Sequence, residues 1–119
     1  MKVDTYTRLQ RKQFEVREVL RQFFERYDLL LTPTTPCVAW DVEQLVPPGL
    51  DSAVPFTRPF NHTGQPAASV PCGLTPANLP VGLQVVAPLA GEATLVAALR
   101  VIEGTLGAGV RVPLEVAGR

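Results

Sequence analysis

Apolar residues near the start of the chain return at helical intervals. Tyr6, Leu9, Val16, Leu20, Phe23 and Tyr27 follow one another at steps of three, four and seven residues, with Val19 and Phe24 widening the stripe. Positions three and four apart share a helix face, so this spacing predicts an amphipathic helix over Thr5–Tyr27. Asp4 or Thr5 is placed to cap it, offering an oxygen to an amide left without a partner in the first turn. Phe23 falls on the predicted buried face and Arg17 on the polar one. No proline precedes Pro33 to break the run. The pattern then changes: Asp28-Leu-Leu-Leu-Thr is continuously apolar, which predicts a short strand covered on both faces, as in parallel or mixed sheets.

From Thr32 to Asp51 the prolines Pro33, Pro36, Pro47 and Pro48, with Gly49, exclude regular structure over most of the stretch. Pro55–Gly64 fits a short helical turn. Two more apolar runs, Pro66–Pro71 and Val81–Ala87, read as strands. Gly, Pro and Asn in the seven residues Gly73–Leu79 predict a hairpin loop joining them antiparallel. A second helix is expected over Gly91–Glu103, with Leu95, Ala98, Leu99 and Ile102 on one face and Gly104 as a left-handed cap. The tail, 105–119, is loosely patterned. The sum is an α/β chain: a small mixed sheet of about three strands with two flanking helices, one partial domain over 1–119.

Charge refines this picture without redirecting it. Eleven basic and eleven acidic residues cancel, and no aromatic platform accompanies the seven cations among the first 26 residues, so no nucleic-acid partner is expected. Glu18, Arg21 and Glu25 instead stand at ion-pairing helix spacings. No apolar run is long enough to span a bilayer, and Met1 to Thr5 lack a secretory core, so a cytoplasmic location is expected. Cys37 and Cys72 are expected as reduced thiols, each a small buried hydrophobe. His62 is the sole histidine, which leaves no metal site and no cofactor expected.

One stretch carries a resemblance. Thr57-Arg-Pro-Phe-Asn-His-Thr-Gly-Gln-Pro-Ala-Ala-Ser-Val-Pro-Cys-Gly, followed by Leu-Pro-Val-Gly-Leu-Gln-Val-Val to Val86, resembles the carboxy-terminal part of the amidase signature enzymes. Phe-Phe-Glu-Arg-Tyr-Asp-Leu-Leu-Leu-Thr-Pro-Thr-Thr-Pro, from Phe23 to Pro36, extends it upstream. The resemblance implies a partial amidase-signature-like fold and a family reaction, hydrolysis of carboxamide C–N bonds. It also implies that Thr57, Asn61, Thr63 and Gly64, in the pattern Thr-x-Pro-x-Asn-x-Thr-Gly-x-Pro, line one wall of a substrate pocket. Turn chemistry alone accounts for the same residue types. The family's amidotransferase members place an aspartate seven residues before the asparagine; here that position is Val54, which draws the resemblance toward general amidases.

The family's reaction uses a serine activated through a second serine and a lysine. This chain has two serines, Ser52 and Ser69, and two lysines, Lys2 and Lys12, with no Ser-Ser pair and no glycine-rich elbow. No catalytic residue is therefore assigned, and the chain alone is expected to be inactive. Ser69 is expected to bond to backbone in its strand. A sheet cut from a wider one leaves an open edge, which implies either a homo-oligomer or packing against the missing amidase portion.

Overall fold

The computed structural model describes residues 3–41, 43 and 54–106. Along the chain run α1 (Val3–Phe24), β1 (Leu30–Pro33), α2 (Arg58–Thr63), β2 (Ala67–Leu74), β3 (Pro80–Val86) and α3 (Glu92–Leu106). The α/β class and the three strands are as the hydrophobic pattern predicts. The sheet order is β1-β3-β2, and both pairings are antiparallel, with Thr32 opposite Gln84 and Ser69 opposite the same residue on the other side. The sheet is therefore antiparallel rather than mixed among the described residues, and α2 adds a short third helix.

β2 and β3 form the predicted hairpin. Its loop closes through Thr75, whose N–H donates to the Leu79 carbonyl at 2.9 Å while its hydroxyl accepts from the Leu79 N–H at 3.1 Å. Asn78 takes the left-handed conformation the turn requires (φ 60°). A register shift between Pro71 and Gly73 bends β2 and lengthens it beyond the expected Pro71.

Successive side chains alternate across a strand, so the register sorts the sheet into two faces. Ala68, Val70, Leu83 and Val85 share one face, and α3 covers it. Val85, Ala87 and Leu95 form the core, with Leu29, Ala68, Leu99 and Ile102 packed against it. The predicted face of α3 is thus confirmed. Its end is not: the helix continues through Gly104 to Leu106, so Gly104 is a helical residue and no left-handed cap. Thr105 and Leu106 belong to this helix; the rest of the predicted tail lies outside the described residues, as do 42 and 44–51 of the long loop.

Two expectations about burial fail. β1 alternates between half-buried and exposed positions instead of being covered on both faces, with Leu31 53% exposed. It is an edge strand, and antiparallel edges need cover on one side only. α1 forms, two residues earlier than expected, so Asp4 lies inside its first turn rather than before it. Yet none of its residues is buried, Phe23 included. Phe23 stacks on Tyr27 (centroids 4.7 Å apart) and meets Phe24 edge-on at the helix end. The apolar stripe is real, but only α2 packs closely along it. No helix among the described residues is long and apolar enough to cross a membrane.

Candidate substrate-side segment

The segment around α2 starts from sequence features that fix each of its ends. Thr57 precedes the helix in a helical conformation (φ −93°, ψ −31°) and makes no side-chain cap, so its residue type is not explained by capping. Pro59 stands in the first turn, where its missing N–H costs no hydrogen bond. Gly64 ends the helix in the left-handed region (φ 85°), its N–H donating to the Phe60 carbonyl at 2.8 Å. Phe60 and Thr63 are the buried side chains of this turn.

The four residues expected to line a pocket wall part company here. Thr63 is 1% exposed, and its hydroxyl donates to the Pro59 carbonyl at 2.8 Å beside the Gln65 side-chain amide. It holds the turn together. Thr57 is half-buried, whereas Asn61 and Gly64 are exposed and face solvent. Asn61 and the Gly64 backbone are the groups of this set able to meet a ligand.

α1 fastens the end of α2. The Arg17 side chain donates through Nε to the Thr63 carbonyl at 3.1 Å, and Gln13, one turn earlier, donates through Nε2 to the His62 carbonyl. The last carbonyls of a helix have no partner within it, and a cation there also meets the negative end of the helix dipole. Sequence reasoning set Arg17 on a solvated face and missed this role. The four-residue spacing of Gln13 and Arg17 shows that they share a face, but nothing in the chain shows what that face meets.

The second sheet face carries a polar row that sequence reasoning also missed. Gln84, 3% exposed, donates through Nε2 to the Thr32 hydroxyl at 2.8 Å and to the Phe56 carbonyl at 3.1 Å, tying both β1 and the lead into α2 to the central strand. On the same face, the hydroxyl of Ser69, opposite Gln84, lies 2.6 Å from that of Thr34, two residues beyond Thr32. They meet above Gly82, where a Cβ would stand 2.8 Å from each oxygen. Among the described residues Ser69 thus bonds the side-chain hydroxyl of Thr34, just past β1, where a bond to backbone is expected from sequence. The expected thiol burial is partial: Cys37 and Cys72 are each half-buried, and the Cys72 thiol donates to the Val81 carbonyl at 3.5 Å.

With this geometry in hand, the relatives decide the family. A sequence model of the family described as Amidase matches residues 2–96. The chain belongs to the amidase family. It is 34% identical over 109 residues to the A-type subunit of the glutamyl-tRNA(Gln) amidotransferase of Halothermothrix orenii, covering 91% of this chain and 23% of that protein. Among solved structures it is similar to a bacterial aryl acylamidase of the amidase signature family (TM-score 0.76, 26% identity, 87% of this chain and 23% of that one). It is similar also to 6-aminohexanoate cyclic dimer hydrolase (TM-score 0.69, 29% identity, 79% and 22%). The chain spans under a quarter of the length of each of these relatives.

Proposed function

We propose that this chain is the carboxy-terminal, substrate-side portion of an amidase signature enzyme, and that it hydrolyses no amide by itself. One observation carries the reading: the family match runs over residues 2–96, yet the chain offers only Ser52 and Ser69 as serines, without a paired serine or a neighbouring lysine. Among the described residues, Ser69 meets the Thr34 hydroxyl, which is no base. A hydroxyl without a base and preorganised oxyanion donors is a poor nucleophile. In this role α2 and Gly64 present Asn61 to a carboxamide substrate while the nucleophile comes from another part of the fold. The reading assigns the protein to the cytoplasm and calls for no cofactor. Val54, where the family's amidotransferase members carry an aspartate, favours a general carboxamide over glutamine.

The test is an assay of short carboxamides and of glutamine with the purified chain and with Ser69→Ala. Neither is expected to turn over substrate. Hydrolysis by the wild type that disappears in Ser69→Ala would overturn the proposal.

A second reading, a non-catalytic assembly module, is favoured by the sheet itself. Among the described residues β1 and β2 are both edges, and backbone groups along such edges pair readily with another copy. Light scattering on dilute protein bears on both readings: a homo-oligomer supports the module, and a 12.9 kDa monomer that unfolds cooperatively would show a self-sufficient segment and refute the fragment argument.

A further inference from the structure

Between α1 and α2 lies an open cleft of about 790 Å³, within the size range of small-molecule sites. Leu9 and Val16 from α1, with Pro55 and Pro59 from the α2 side, give it an apolar body. Two of its polar side chains are already engaged, Gln13 on the His62 carbonyl and Thr63 on the Pro59 carbonyl. Gln10 donates through Nε2 to the Tyr6 hydroxyl at 2.6 Å, and no group among the described residues accepts from that hydroxyl in turn. The phenol therefore keeps a proton to donate. Its bond to Gln10, one turn on, carries it along α1 toward Lys12.

Lys12 and Arg58 bring positive charge to the same lining, and no carboxylate belongs to it. Two carboxylates stand nearby: Asp4 and Glu15 share a neighbouring hollow with Arg8, Arg11 and Lys12. Three cations there meet two anions, and Arg11 takes Glu15 at 3.2 Å. No ion pair among the described residues includes Lys12. An ammonium on a flexible four-carbon stem can turn from that hollow into the cleft.

We propose that this cleft binds a small aryl-alkyl carboxylate. The carboxylate accepts from the Tyr6 hydroxyl and the Lys12 ammonium, a charge-assisted pairing, under the added positive potential of Arg58. The aryl-alkyl body lies on Leu9, Val16 and the two flat proline rings. A neutral apolar ligand would cover both donors without giving them an acceptor, which opposes its binding. Asn61 does not line the cleft, so the site stands apart from the substrate-side surface and does not need the amidase reading.

The probe is phenylbutyrate, titrated by calorimetry into the full 119-residue chain, with phenylbutanol as the same body without the charge. The wild type is expected to bind the acid about tenfold or more tightly than the alcohol. Lys12→Gln should weaken the acid by about tenfold and Tyr6→Phe by about threefold, while Arg100→Gln on α3 leaves it unchanged. Absent wild-type binding at millimolar acid, equal binding of the two probes, or equal effects of Lys12→Gln and Arg100→Gln overturns the proposal. Should circular dichroism show Lys12→Gln unfolded, the two probes on the wild type decide alone: preference for the acid supports the site and equal binding overturns it. Light scattering tests the rival occupant. A wild-type homo-oligomer that Leu9→Asp splits into monomers would mean that a second copy fills the cleft, and would overturn the proposal.

Discussion

At the scale of single residues, two glycines make opposite demands. Gly82 sits under the Thr34–Ser69 hydroxyl pair, and a methyl there would come within 2.8 Å of both oxygens and 3.2 Å of the Thr34 Cβ. Gly82→Ala must push the two strand ends apart or break their hydrogen bond, a loss of about 1–3 kcal/mol. Gly104 lies within α3 with nothing inside 4 Å of an added Cβ. There Ala removes only backbone freedom from the unfolded chain, so Gly104→Ala should stabilise by about 0.5–1 kcal/mol. Urea titration of the two variants checks both signs; similar effects from both would show that the hydroxyl pair does not depend on Gly82. The sequence puts Gly82 inside an apolar strand run and suggests a left-handed cap at Gly104, and in neither case does it show what surrounds the glycine. What distinguishes them is the register that brings β1 and β2 to either side of β3.

At the scale of elements, periodicity was enough to locate helices and strands but not what covers them. The Leu95, Ala98, Leu99 and Ile102 face was legible because it meets a sheet encoded in the same short stretch. The α1 stripe was equally legible, yet among the described residues only α2 packs closely along it and none of its residues is buried. Arg17 shows the cost of that gap. Read as a solvated cation it would matter little, but its bond to the Thr63 carbonyl makes Arg17→Ala a loss of about 1 kcal/mol, with Arg17→Lys restoring part of it. Thermal unfolding of the pair against wild type is the measurement. The ion pairs behave differently. Bidentate bonds from Arg21, at 2.7 and 2.9 Å, and a further bond from Gln22 lower the Glu18 carboxyl from 4.5 to about 2. A depressed carboxyl contributes stability above its unfolded value and loses it as pH falls toward the folded one. The helical circular dichroism of α1 should therefore weaken between pH 4.5 and about 2, less so in Glu18→Gln. Because the pair is exposed, high salt should flatten the difference.

At the scale of the whole molecule, cover is unevenly shared. α3 closes one sheet face over a small core, the lead into α2 closes part of the other, and α1 is held chiefly by its grip on α2. The candidate site follows the same division. Its residue types were readable from the Thr57–Pro66 pattern, but the inward turn of Thr63 and the outward one of Asn61 depend on a helix phase that only the folded segment fixes. An uncovered apolar helix face on a folded chain is measurable. An anionic apolar dye such as anilinonaphthalene sulfonate should fluoresce with the native protein, since Val19 and Leu9 alone are 66% and 51% exposed. Leu9→Asp should dim that signal without changing the cooperativity of unfolding, because the side chain it replaces stands outside the core. Leu95→Ala removes a buried contact between α3 and the sheet, about 2–5 kcal/mol, and should brighten the dye by loosening the fold. A dye signal that ignores Leu9→Asp and follows Leu95→Ala alone would place the exposed apolar surface in the sheet, and would leave α1 with no face for a partner to cover.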